Sequence, residues 1–345
     1  WDWGYENGPM NDVPAKPVIR GIDGPSGVGV VAAEHAAAGT YYLAADHPEQ
    51  LLFTENQTNA ARFGDAGDLR RYAKDGFHRY LVDGEAAAVN TARQGTKAAF
   101  YFQEQIEAGG TRILRLRLSR QLHAEPFGDF EGVLAQRVAE ADAFYAAEQK
   151  PGLSEDERRV QRQAFAGMLW TKQFYYYNIE QWLQGDPGMP EMADGRRHGR
   201  NSRWEHLNNF DIISMPDKWE YPWYAAWDLA FHCIPLALVD ADFAKRQLDL
   251  MAREWYMHPN GQLPAYEWKF SDVNPPVHAW AAWRVYQIDA KQQGAADRDF
   301  LEGIFHKLLL NFTWWVNKKD IDGNNVFQGG FLGLDNISVF DRSAP

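Results

Sequence analysis

The chain has 345 residues and a formal net charge of −12, which argues against a nucleic-acid partner or an anionic membrane surface. With 45% hydrophobic and 24% charged residues it reads as globular rather than disordered, and it is long enough for two domains of ordinary size. Its one cysteine, Cys233, excludes an intrachain disulfide and spells out no zinc cluster.

Up to residue 125 the pattern is β. Segments 41–45, 50–54, 76–82, 99–105 and 111–119 are short and separated by Gly, Asp and Asn clusters. In the last of them Leu114, Leu116 and Leu118 alternate with Ile113, Arg115 and Arg117, which predicts one buried leucine face and one solvated face. Gly27-Val28-Gly29 has no following helix with a third glycine, so a dinucleotide loop is not expected.

Beyond residue 125 the period turns helical. Leu134, Val138, Ala141 and Tyr145 mark one helix, and Phe165, Met168, Leu169, Tyr176, Ile179 and Leu183 a longer one. Two more are predicted at about 222–238 and 242–257. Asn274 offers a cap with Pro275 at the first helical position of a helix running through Val277, Ala281, Arg284 and Ile288. The last carries Phe300, Ile304, Leu308, Phe312 and Trp315. Successive helices joined by loops suggest a toroid of helical hairpins, with long loops at 185–222 and 260–274 as natural sites for function.

The helix around Asp228 concentrates the chemistry. Trp223, Trp227 and Phe231 recur at helical spacing with Ala230, Ile234 and Leu238 beside them, and Asp228 is the only ionised acid between Tyr221 and Val239. A helix apolar nearly all round is a buried one, so Asp228 is expected in the interior or on the floor of a cavity, where desolvation keeps a carboxyl protonated. A poised acid ringed by Trp and Tyr suits proton donation in glycosidic cleavage; a structural Asp satisfied by backbone amides or an Arg fits the segment equally well. The central Asp, a His and an internal Pro make the same stretch a poor membrane span. Aromatic residues make up 14% of the chain, with 14 Trp, and indole faces stack on the apolar faces of sugar rings. His232, His258, His278 and His306 share no ligand spacing with acids, so no metal or other cofactor is expected.

Three loop segments accompany the Trp227-Asp228-Leu229-Ala230-Phe231-His232 element: Asn208 through Trp223 (NNFDIISMPDKWEYPW), Asn274-Pro275-Pro276-Val277-His278-Ala279-Trp280, and Gly333-Leu334-Asp335-Asn336. In this order they resemble bacterial glycoside hydrolase family 63, the group that includes α-glucosidases and mannosylglycerate hydrolase. The likeness extends to Gly95-Thr96-Lys97-Ala98 and Gln173-Phe174-Tyr175-Tyr176-Tyr177 and covers most of the chain. It implies a β-sandwich-like domain at 1–125, then an (α/α)6 toroid from 126 that is truncated at 345, working as an inverting hydrolase of α-linked sugars. Asp228 matches the general acid of that family. The general base is a Glu on a late toroid helix, and no Glu follows Asp335, so this stretch alone is expected to be inactive.

Trp219, Trp223, Tyr224, Trp227 and Trp280 would line the pocket, and Asn274, His278, Asp335 and Asn336 would bond sugar hydroxyls. Each has a plainer alternative: Trp223 and Trp227 as core, Asn274 as a helix cap, His278 as a satisfied histidine, Asp335-Asn336 as a turn. Glu267, between Tyr266 and Trp268, is the rival catalytic carboxylate. The substrate would be an α-linked oligosaccharide or glycoside, with neither nucleic acid nor membrane as partner. A non-catalytic glycan-binding protein on the same scaffold is the competing reading. No signal peptide is visible, which favours a cytoplasmic protein, although Trp1 is not an initiator residue and the sequence reads as a fragment cut at both ends.

Overall fold

The computed structural model describes residues 16–63, 72–185, 194–199, 202, 204–215, 218, 224–266 and 273–327. They form two compact units divided between Ala141 and Asp142. Among the described residues no helix is long and apolar enough to cross a membrane.

The first unit is built on strands β1 (Val18–Ile22), β2 (Val28–His35), β3 (Gly39–Asp46), β4 (Gln50–Thr54), β5 (Gln94–Gly95), β6 (Lys97–Tyr101) and β7 (Leu116–Ser119), with helix α1 (Gly76–Leu81) between β4 and β5. Five strands form an antiparallel sheet in the order β5-β1-β2-β3-β7, and β4 pairs separately with β6. Val31 of β2 faces Gly21 and Leu43, and Val30, Val31, Ala32, Ala44 and Ala45 form the sheet's buried centre. The Gly95-Thr96-Lys97 motif is a junction. A Cβ on Gly95 would stand 2.3 Å from the Thr54 carbonyl oxygen, so only glycine lets β5 pass there. Thr96 then donates its N–H to that same carbonyl and its hydroxyl to Glu55.

Two expectations fail in this unit. Residues 76–82, read as a strand, form α1; Phe77, Tyr80 and Leu81 have the i, i+3, i+4 spacing of one helical turn, and Arg79 pairs with Asp75 and Glu85. The alternation at 113–118 marks a strand only from Leu116 to Ser119, and the leucines are not its buried face: Leu116 and Leu118 are 49% and 66% exposed, while Arg117 is partly covered. Its guanidinium donates to the Pro126 carbonyl and forks onto Asp129, so a charged group is satisfied on the covered side.

Helix α2 (Phe130–Glu148) spans the division. The second unit continues with α3 (Glu155–Trp170), β8 (Lys172–Asn178), α4 (Ile179–Gln184), β9 (Asn208–Ser214), α5 (Ala226–Leu236), α6 (Ala241–Met251), α7 (Val277–Gln293) and α8 (Arg298–Lys318). Ser154 and Glu157 close a capping box at the start of α3; Asp240 and Asp297 cap α6 and α8. The helix expected over 165–183 stops at Trp170. Gln173 to Tyr177 form instead an aromatic strand that pairs antiparallel with β9, inside what had read as a loop. Gln247 of α6 holds that hairpin, accepting from the Ser214 N–H at 2.9 Å and donating to the Ile212 carbonyl at 2.9 Å. Helices α5, α6 and α7 pack on one another and α8 on α6 and α7, around Leu229, Ala230, Cys233, Leu236, Leu248, Met251, Ala281, Val285 and Ile304. The helix expected to reach 257 ends at Met251, and α7 begins at Val277 with Pro276 at its cap, so Asn274 is not the helix cap.

Candidate functional site

The site begins where α5 and α7 start. Ala225 bridges Tyr266, and the Ala226 N–H donates to the Ala265 carbonyl at 3.0 Å, which pins the first turn of α5 to the preceding segment of chain. Asp228 lies in that first turn and is half-buried. The expectation of a helix buried all round does not hold: Phe231 and Leu238 are exposed, and the apolar stripe they belong to faces outward. Along that stripe Trp227 meets Phe231 at 6.1 Å between ring centroids, and Phe231 meets Trp280 of α7 at 5.7 Å. These three rings form a row with the edge and tilted geometries that aromatic pairs favour.

Tyr224 is fully buried in the core, edge-on to Tyr256 at 5.5 Å, and the Tyr256 hydroxyl donates to Asp211 of β9. Burial first, then the Asp211 charge, pushes the Tyr256 phenol well above its ordinary range, so it stays a donor. Neighbouring Asn209 is fully buried on β9 with no hydrogen-bond partner on either side-chain amide atom among the described residues. Four residues after Asp228, half-buried His232 is held neutral by desolvation.

A small cavity lies between the first turns of α5 and α7 and the flank of α8. Trp227, Asn274, His278, Asn311, Trp314 and Trp315 line it, with Leu263 and the Val273-to-Pro276 segment closing it. Its volume is about 20 Å³, room for about one water molecule. His278 is 5% exposed and contacts the Leu248 carbonyl oxygen through Nε2 at 2.7 Å. Burial pulls its pKa down to about 4, against the opposing pull of the Leu248 carbonyl and Asp249.

The structure thus brings Trp227, Asn274 and His278 to one cavity and Trp227 and Trp280 to one aromatic row, while Asp228, in the first turn of α5, is not among the residues lining that cavity. Trp219, Trp223, Asp335, Asn336 and the rival Glu267 lie outside the described residues. Asn311, Trp314 and Trp315 were not singled out from the sequence. Their signal was present, since Asn311 interrupts the run Leu308-Leu309-Leu310 and its side chain ties α8 to the Gly261 carbonyl at 2.8 Å.

Residues 221–336, which contain the starts of α5 and α7 and all of α8, match the family model of the mannosylglycerate hydrolase MGH1-like glycoside hydrolase domain. Over 308 residues the chain is 51% identical to an uncharacterized protein of Saccharomyces cerevisiae, covering 86% of this chain and 28% of the yeast protein. The chain therefore spans little more than a quarter of that relative's length, and its similarity reaches a eukaryotic protein as well as the glycoside hydrolase family model.

Proposed function

We propose that the chain carries part of the catalytic domain of an inverting glycoside hydrolase for α-linked sugars, of the α-glucosidase or mannosylglycerate hydrolase type. The observation that carries this reading is the match of residues 221–336 to a glycoside hydrolase domain. The place of Asp228 in the first turn of α5, next to Trp227 of the aromatic row, supports it. In this reading the helical region is part of an (α/α)6 toroid that begins near residue 126, after a β-sandwich-like domain. Asp228 protonates the departing glycosidic oxygen, and a glutamate outside these residues activates water on the opposite face of the ring. An inverting pair stands roughly 6.5–9.5 Å apart to admit that water. Trp219, Trp223, Trp227 and Trp280 enclose the sugar, while Tyr224, buried against Tyr256, belongs to the core and not to the wall; Asn274, His278, Asp335 and Asn336 hold its hydroxyls.

The full-length protein provides the test. Asp228→Asn keeps size and hydrogen-bonding reach but delivers no proton, so activity on glycosides with alkoxide leaving groups should fall about 10²–10⁴-fold. An α-glycosyl fluoride, whose leaving group departs without protonation, should be affected far less. Fresh product read by NMR should be the β-anomer. An α-anomer rules out inversion, and equal loss on both substrates makes Asp228 a binding or structural residue.

A further inference from the structure

The neutral ring of His278 has one nitrogen to spare. A carbonyl oxygen only accepts, so the contact with Leu248 places the ring proton on Nε2 and leaves Nδ1 as a bare lone pair. Nδ1 is buried and meets no donor among the described residues. An unsatisfied buried acceptor is costly. Its ring lines the cavity shared with Trp227, Asn311, Trp314 and Trp315, where indole surfaces surround a space of about 20 Å³. That space takes one oxygen-sized group. A buried acceptor in a one-atom space lined by indole rings and by the amides of Asn274 and Asn311 has the chemistry of a hydroxyl pocket.

We propose that this cavity is a single-hydroxyl subsite, in which His278 Nδ1 accepts the O–H of one hydroxyl of the bound glycoside. An ordered water holds the same position when no sugar is present. The inference rests on the glycosidase reading and adds to it the residue that selects one hydroxyl by direct acceptance. His278 acts as a fixed acceptor, since its proton is committed to Leu248.

Titration of the full-length protein by tryptophan fluorescence with methyl α-D-glucoside, methyl α-D-mannoside and their monodeoxy analogues separates the possibilities. One monodeoxy analogue should bind wild type about ten-fold more weakly than its parent. That ten-fold gap should vanish in His278→Leu, which has no acceptor to offer. A gap that persists in His278→Leu, or a uniform weakening across the whole series, overturns the subsite and leaves His278 as a tie between helices or the cavity as a water site only. A wild-type protein that binds neither parent glycoside overturns the glycosidase reading itself. If His278→Leu melts below the working temperature, the ¹⁵N resonance of wild-type His278 Nδ1 decides. It should move with the parent glycoside and not with the one analogue; an unmoved resonance overturns the proposal.

Discussion

A single buried imidazole makes this domain sensitive to acid. His278 has an ordinary pKa near 6.5 when unfolded and about 4 in the fold, because burial penalises its charged form. Between those values the unfolded chain binds the proton that the folded chain refuses, so stability falls as pH drops from about 6.5 to about 4 and changes little above that window. The full effect is at most about 3 kcal/mol. Urea midpoints at pH 7.5, 5.5 and 4.5 check it: His278→Gln should lose less stability over that range than wild type. At this scale the sequence offers candidates for the site. A solitary acid in an aromatic run marked Asp228, and a His among apolar residues one turn into a helix marked His278. The α8 residues were not readable, because Trp314 and Trp315 look like ordinary core until the packing shows that they face α5 and α7 across a cavity.

Helices α6, α7 and α8 are joined by a charge cluster. Lys245 Nζ donates to Asp289 at 2.9 Å, to Asp297 at 2.7 Å and pairs with Asp242 at 3.2 Å, while Asp289 is buried. Burial works against the ammonium, but the hydrogen bonds of Asp297, Asp289 and Asp242 outweigh it and hold the amine above its ordinary range. Lys245→Met leaves the Asp289 carboxylate buried and uncompensated, and should cost about 3–5 kcal/mol. Lys245→Met with Asp289→Leu should recover most of that loss, read from urea unfolding of the three proteins. Elements with a long period were legible: α2, α5, α7 and α8 lie where the apolar spacing puts them. Failures came where a short segment satisfies two templates. Six residues of α1 are too few to separate a turn of helix from a strand, and the aromatic run after Trp170 continues a helical spacing by coincidence while its β-propensity prevails. At β7 part of the strand was legible but not its sidedness, because only the fold shows Arg117 bonded to Asp129 and the Pro126 carbonyl.

At the scale of the molecule, these residues hold the proposed acid without the proposed base. Expressed alone they should turn over no glycoside, while the full-length protein should; an aryl α-glycoside assay on both samples checks it, and turnover by the shorter one would relocate the base to a residue such as Glu267. Sequence told less here than at the smaller scales. Hydrophobic periodicity gives the helices but not whether they close into a ring, since closure depends on which faces meet.

Cys233 lies at the centre of the α5 core, fully buried and the only thiol in the chain, with burial pushing its ionisation far above that of a free cysteine. It is a ready-made clock for the opening of the helical core. A water-soluble aromatic disulfide has no route to the sulfur in the folded state and no other thiol to compete for it, so each labelling event records one excursion that exposes α5. Labelling free energies measured across urea should converge on the global unfolding free energy of this unit. A plateau well below that value would reveal that α5 swings out while its neighbours stay folded.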